Sequence, residues 1–298
     1  MVELDLRPLD GGDLPVFTAG AHVSVQTPGG PINKYSLCNC PTERHRYVIA
    51  VRRDAKGAGG SLSLADQLEP GQFLNASDPE NAFELSTARP QYLFIAGGIG
   101  ITPIYAMIQS LIAAGQADFQ LVYLTRSPED TPYWQEIIDS PWADRMVLHH
   151  THGVAADRFD LWPLLERQGR RQIYCCGPRR LMEEVRAMTG HWAGGTVHFE
   201  SFGVDETLFK PNVPFAVHLQ ARDMDLQVDA ATTLLQALDA HGVHVPRSCE
   251  SGTCGTCKTP LISGEVEHRD MVLDEGEQAS NIMVCVSRGT GGKIVLDL

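Results

Sequence analysis

The stretch SCESGTCGTC, residues 248–257, puts three cysteines into one loop with the spacing Cys249-x4-Cys254-x2-Cys257, and a fourth cysteine follows at Cys285. This is the ligand spacing of a plant-type 2Fe-2S cluster. Two irons and two sulfides need four thiolates in one small shell, so most of that shell has to come from a tight loop. Gly252 and Gly255 let the backbone curl, and the small Ser and Thr neighbours leave amide N–H groups free to point at sulfur. Cys285 is expected to return from a strand, Ile282 to Val286, and close the shell. Structural zinc is the competing reading, but it normally takes two CxxC knuckles and only Cys254 and Cys257 form one. Disulfides compete less well. A chain that opens without an apolar signal segment and has no membrane-length apolar run reads as cytoplasmic, where its eight cysteines stay reduced.

Working outward from the loop, 298 residues are enough for two or three domains, and 43% hydrophobic with 20% charged residues is an ordinary globular composition. The net charge of -13 argues against nucleic acid and anionic membrane as partners, since both reward Lys and Arg. Residues 213–298 hold twelve acidic and six basic residues, an excess that reads either as a face for a basic partner or as an acidic soluble surface. Nothing of the form GxSxG or HExxH, and no paired carboxylates, points to a hydrolase.

Three rhythms divide the chain. Residues 1–88 alternate apolar and polar positions in short runs (VELDLRP, AHVSVQT, KYSLCN, RYVIAVRR, QFLNAS) punctuated by Gly and Pro, the pattern of a small antiparallel β-barrel, with a short helix from Ser61 to Leu68 capped by Ser61. Residues 89–202 switch to near-continuous apolar strands: Tyr92 to Ala96, Phe119 to Leu124, Met146 to His150, Ile173 to Cys176 and Val197 to Phe199. Between them, Pro103 to Ala114, Thr131 to Ile138, Leu161 to Gln168 and Arg179 to Met188 read as crossover helices, which gives an α/β doubly wound domain. Residues 203–212 are the linker. Residues 213–298 form an α+β unit, with strands Phe215 to Gln220 and Leu226 to Asp229, a helix Thr233 to Ala240 ended by Gly242, and then the cysteine loop.

FIAGGIGITP (94–103) sets Gly98-x-Gly100 between a strand and a helix, where glycine lets a pyrophosphate approach backbone N–H groups at the positive helix end. Pro103 stands where the dinucleotide fingerprint has its third glycine, and such a turn also serves close packing alone. A second turn, Cys176-Gly177-Pro178, follows another strand at the same sheet edge, and two such turns favour a nucleotide crevice. Arg126 and Ser127 in LTRSPEDT (124–131) stand where an adenosine ribose would lie. Glu129 and Asp130 put negative charge beside any 2'-phosphate, so NADH is expected over NADPH, although Arg-Ser also reads as a phosphate clamp. The trio His149, His150 and His152 reads as a strand end, because alternation sends the adjacent pair to opposite faces. Cys175 is expected to pack in the sheet, and Cys176 to lie near the nicotinamide as a polarizable neighbour.

The order KYSLCN (34–39), GGIGITP (97–103), CCGP (175–178), ESF (200–202) and the cysteine loop resembles the phthalate dioxygenase reductase family over essentially the whole chain. The resemblance implies an FMN-binding barrel, an NADH domain and a β-grasp ferredoxin domain. The protein would then be monomeric by itself and would pass electrons to a separate Rieske-type oxygenase acting on an aromatic or related small substrate. It implies that Tyr35 and Ser36 meet the flavin ring, with Ser36 near N5, that Val51 and Arg52 run along the ribityl chain, and that Gly60 and Ser61 bind the phosphate. Thr102 would bridge flavin and nicotinamide, and Phe202 would pack on the flavin. Ser36 and Cys176 are thus the catalytic candidates. Each has a plainer alternative: Tyr35 as a barrel aromatic, Arg52 as a surface charge, the glycines as a turn. Asn33 occupies the position where the family carries Arg, and the barrel begins about one strand short of the family pattern. A flavin between NADH and the cluster converts a two-electron hydride into single electrons. The alternatives are a reductase for another acceptor, such as a heme monooxygenase, and a redox sensor or carrier without turnover.

Overall fold

Alternating apolar and polar residues at the start of the chain become four short strands, β1 (Val2–Leu6), β2 (His22–Gln26), β3 (Ile32–Ser36) and β4 (Tyr47–Val51). In the computed structural model, which describes residues 1–55, 59–116, 118–203 and 208–298, β1 pairs antiparallel with β4 and β2 with β3. Bridges Leu37–Ile49, His22–Glu80 and Val25–Ala76 draw these pairs into a barrel around Val23, Val25, Leu37, Ile49 and Val51. The run Gln72 to Ser77, expected as a further strand, meets β2 through the Ala76 bridge only. The Ser77 hydroxyl takes the Ser24 amide at 3.0 Å, so a side chain competes where a ladder would use a carbonyl. Helix α1 (Gly60–Asp66) begins at Gly59, whose φ is +86°, and has no side-chain cap. Ser61 therefore lies inside the first turn, and its hydroxyl accepts from the Asp54 amide at 3.1 Å, contrary to the expected capping role.

The central segment realises the apolar runs as β5 (Gln91–Gly97), α2 (Ile101–Ala113), β6 (Phe119–Thr125), α3 (Trp134–Ile138), β7 (Met146–His150), α4 (Trp162–Leu165), β8 (Arg171–Cys176), α5 (Arg179–Thr189) and β9 (Val197–Glu200). The sheet order is β7-β6-β5-β8-β9, and β5 pairs in parallel with both β6 and β8. Two helices are shorter than expected. Tyr133 adopts a left-handed φ of +57°, which delays α3 to Trp134. In α4 the last-turn carbonyls of Leu164 and Leu165 are taken by Arg171 Nη2 (3.0 Å) and Trp192 Nε1 (2.8 Å) in place of helix amides.

Barrel and sheet share one core. Phe83 packs edge-on against Tyr174 at 5.3 Å. Tyr174 Oη accepts from the Ser86 amide (2.6 Å) and donates to the Glu84 carbonyl (3.1 Å), while Gln109 donates to the Cys38 carbonyl at 2.7 Å. Each fully buried aliphatic or aromatic side chain in such a core contributes about 1.5–3 kcal/mol. Met1–Phe199 accordingly forms one compact unit.

The second unit, Glu200–Leu298, holds β10 (Phe215–Leu219), β11 (Met224–Val228), α6 (Leu234–Ala240), β12 (Lys258–Ser263), β13 (Val266–Glu267), α7 (Glu275–Gln278), β14 (Asn281–Met283), β15 (Arg288–Gly289) and β16 (Lys293–Leu296). The sheet order is β11-β10-β16-β12-β14, with β10 and β16 parallel, a β-grasp arrangement in which α6 buries Leu234, Leu235 and Leu238. Thr233 and Gln236 form a reciprocal capping box at the start of α6. Part of the expected linker 203–212 lies outside the described residues. Of the remainder, the buried Arg269 bonds Asn212 Oδ1 (2.8 Å) and the Lys210 carbonyl (3.1 Å) and lies over the Phe209 ring, fastening this segment to the second unit. Among the described residues no helix is long and apolar enough to cross a membrane.

A Cβ at Gly100 would stand 2.1 Å from the Cys176 carbonyl oxygen, whereas one at Gly194 meets nothing within 4 Å. Gly100→Ala is therefore expected to destabilise the protein by about 1–3 kcal/mol and Gly194→Ala to leave it near wild type. Thermal denaturation of both variants checks this, and equal melting temperatures would contradict the packing assigned to Gly100.

Candidate functional site

The carboxyl ends of β5, β6 and β8 open into a cleft of about 730 Å³ lined by Gly98, Arg126, Glu129, Tyr133 and Pro178, with Arg52 at its barrel side. It lies where the strand order reverses around β5, the position at which doubly wound sheets take ligands. The glycines of the turn divide the labour. Gly100 packs against the Cys176 carbonyl, as its 2.1 Å separation requires. Gly98 has a φ of +54° and open space on its Cβ side, so its backbone is bare toward the cleft at the start of the thirteen-residue α2, whose positive end favours an anion. The residues present thus fit a dinucleotide.

Two expectations at this edge need correction. Cys176 is fully buried in the shared core and does not line the cleft, because β8 is central and its last side chain points into the sheet packing. Thr102 is also buried, and its hydroxyl donates to the Ile99 carbonyl at 3.0 Å, closing the first turn of α2. Gly100 is held by packing against the Cys176 carbonyl at the N-cap of α2. Cys175 packs as expected, and burial raises its thiol pKa, which keeps it protonated.

At the end of β6, Arg126, Glu129 and Asp130 line the cleft, while Ser127 turns to Glu129. The Ser127 hydroxyl bonds the Glu129 carboxyl and, with the Glu129 amide, holds it below the usual carboxylate range. His150 Nδ1 lies 2.7 Å from Thr125 Oγ1, and His149 bonds the Asp157 carbonyl oxygen, so the histidines are part of the strand end.

In the barrel, the Leu37–Ile49 antiparallel bridge runs the end of β3 beside the end of β4, bringing Tyr35 and Ser36 toward Val51. Asn33 Nδ2 donates to Tyr35 Oη at 3.2 Å and abuts Gly60, where a Cβ would come within 2.5 Å of it. Gly59 beside it has open space and a φ of +86°, leaving the amides at the start of α1 approachable. Ser61 accepts from Asp54, which leaves its hydroxyl proton for a ligand. This set fits a phosphate carried without an arginine at position 33. Ser36 is buried, and the Val51 side chain is in the barrel core, so only the main chain of Val51 can meet a ligand. Burial raises the Tyr35 pKa and keeps the phenol neutral. Phe202 belongs to the second unit and exposes half of its surface.

The cysteine loop joins α6 to β12. Its thiols interact as two pairs, Cys249 with Cys254 and Cys257 with Cys285. These bonds lower the Cys249 and Cys257 pKa values and raise those of their partners. The amides of Ser251 (3.4 Å) and Thr253 (3.5 Å) also point at the Cys249 sulfur, and the Gly252 amide at that of Cys285. Among the described residues no three His, Cys, Asp or Glu side chains are set to hold a single metal ion. Two pairs of thiols suit two irons with two thiolates each. Cys285 lies in the turn after β14, not in the strand as expected. The Met283 carbonyl accepts from Val286 (3.2 Å) and Ser287 (3.0 Å), which curls the chain back. Gly252 has a φ of +75°, and a Cβ there would lie 2.8 Å from Val286 and 3.1 Å from the Asp270 Cα. The buried Asp270, which no sequence motif marks, lies against the loop at Gly252.

The 2Fe-2S iron-sulfur cluster binding domain family matches residues 217–290. The chain is 51% identical over 286 residues to the phthalate 4,5-dioxygenase oxygenase reductase subunit of Pseudomonas putida, covering 96% of this chain and 88% of that protein. It is 47% identical over 295 residues to phthalate dioxygenase reductase of Burkholderia cepacia, covering 99% and 92%. A solved structure of phthalate dioxygenase reductase, described as a modular structure for electron transfer from pyridine nucleotides to [2Fe-2S], matches 99% of this chain and 92% of its own with a TM-score of 0.77 and 46% identity. With a cysteine loop built for two irons, a crevice built for a dinucleotide, and likeness over nearly its full length, the chain belongs to the phthalate dioxygenase reductase family.

Proposed function

We propose that the chain is the reductase component of a two-component oxygenase, an NADH-dependent flavin and iron-sulfur oxidoreductase that serves a separate Rieske-type oxygenase acting on an aromatic or related small substrate. The observation that carries this reading is the two-by-two association of Cys249, Cys254, Cys257 and Cys285 in a chain that also holds a dinucleotide cleft. Bound FMN would supply the two-electron acceptor for NADH, and the 2Fe-2S cluster held by Cys249, Cys254, Cys257 and Cys285 would supply one-electron relay. The chain's own residues bind and orient. Gly98 and the start of α2 receive the pyrophosphate, Arg126 the adenosine end, and Asn33, Gly60 and Ser61 the flavin phosphate, while Tyr35 and Ser36 flank the ring. No strong acid or base is needed, which agrees with the buried, protonated Cys175. Thiolate ligands require a reducing compartment, which supports a cytoplasmic location.

The test is cofactor content. Purified protein should contain about two irons per chain with acid-labile sulfide, and the released flavin should run as FMN on chromatography. Stoichiometric zinc without sulfide would reject the cluster assignment, and FAD would reject the FMN assignment.

Nucleotide choice tests the Ser127–Glu129 pair. Replacing Glu129 by Gln removes the charge facing a 2'-phosphate while keeping an acceptor for Ser127, and should raise the NADPH to NADH ratio of kcat/KM roughly fivefold. An unchanged ratio would show that Glu129 does not select NADH.

Cys257→Ala separates hydride acceptance from electron exit. NADH-driven reduction of ferricyanide should persist at a near-normal rate, while reduction of the partner oxygenase should fall by at least about a hundredfold. A variant that still reduces the oxygenase at the wild-type rate would refute the assigned outlet.

A further inference from the structure

Asp270 is one of the few acidic side chains buried in the second unit. Its residue is 3% exposed and its carboxylate fully enclosed. One oxygen accepts from the amides of Val272 (3.0 Å) and Leu273 (2.8 Å), and the other faces the Ser287 hydroxyl at 3.4 Å. These neutral donors stabilise a carboxylate without removing its charge. The residue sits directly behind the cysteine loop. The Cα of Asp270 is 3.1 Å from where a Gly252 Cβ would be, the next amide, Met271, donates to the Gly252 carbonyl at 2.8 Å, and the Gly252 amide points at the Cys285 sulfur. His268 Nδ1 lies 3.9 Å from the carboxylate. Burial lowers the imidazole pKa against the pull of Asp270, so that ring brings no positive charge at neutral pH.

Resting on the reading of the loop as a 2Fe-2S site, we propose that Asp270 is a positioning and charge-setting residue, whose buried negative charge lowers the reduction potential of the cluster held by Cys249, Cys254, Cys257 and Cys285. An electron arriving at the four thiolates derives from the hydride that NADH gives up as it leaves as NAD⁺, and it adds one negative charge to the loop. A fixed negative charge on the other side of Gly252 opposes that addition in an interior where charges are weakly screened. The effect favours onward transfer over retention of the electron.

Asp270→Asn is close to isosteric. Its carbonyl oxygen can keep both amide donors, and its NH2 group can donate to Ser287, whose hydroxyl also accepts. In full-length protein loaded with flavin and cluster, an EPR-monitored redox titration should show the Asp270→Asn midpoint raised by about tenfold in the reduction equilibrium, about 59 mV for one electron. Asp270→Glu, which keeps the charge, should stay near wild type, and His268→Lys, which places a cation beside the carboxylate, should shift in the same direction as Asp270→Asn. Wild-type protein without iron would overturn the 2Fe-2S reading itself. A loaded Asp270→Asn protein with an unchanged midpoint would overturn this inference alone. If neither Asp270→Asn nor His268→Lys retains the cluster or the fold, the residue supports assembly and the inference falls as well.

Discussion

The backbone of Gly100 lies against the carbonyl of Cys176 with no room for a side chain between them, and the rest of the first unit depends on that approach. It brings the carboxyl ends of β5 and β8 together, so the chain leaves them in opposite directions, into α2 and α5. The cleft opens where those paths part. The neighbouring Gly98 has open space on its Cβ side, and its carbonyl accepts from Tyr123 Oη at 3.1 Å. The same physics recurs in the second unit, where Gly252 lies against Asp270 and Val286 and the cysteine loop can curl only because no Cβ stands at that contact.

Polar groups at these sites are committed in advance to particular partners. Ser127 holds Glu129, Asn33 holds Tyr35, Asp270 gathers two amides and a hydroxyl, and the loop amides face sulfur. Each arrangement fixes a charge or a dipole before a ligand arrives, which is how an electron-transfer protein contributes when the reactivity belongs to its cofactors. The cysteines follow the same division. Cys38 and Cys175 are buried with raised pKa values, Cys38 to about 12, and behave as small apolar fillers. Cys249 and Cys257 are pulled the other way by donors aimed at them.

Arg269 shows how a residue without a motif becomes structural. Its guanidinium joins Glu267 (2.7 Å), Asn212 and the Lys210 carbonyl and stacks on Phe209, so a segment that reads as a featureless linker is tied down along one edge. A buried guanidinium is tolerated only when its donors are satisfied, and here they are met both by the neighbouring Glu267 and by chain that lies far away in sequence.

The amino-acid sequence by itself determined the elements whose signals are local. The parallel strands were legible because apolar runs report burial on both faces, the 2Fe-2S domain because four thiolates need that spacing, and α6 because Thr233 and Gly242 bracket its apolar stripe. Where long-range partners take over, only the tertiary structure decided. Helices α3 and α4 stop early because Tyr133 turns left-handed and because Arg171 and Trp192 take the α4 carbonyls. The Ser77 hydroxyl interrupts a ladder, and Cys285 moves into a turn. Cys176 and Thr102 look reactive in the chain but lie in packing, and Asp270 looks like one more surface acid but lies beneath the loop. Burial of a single side chain depends on which segments arrive opposite it, and that information is distributed over contacts remote in sequence.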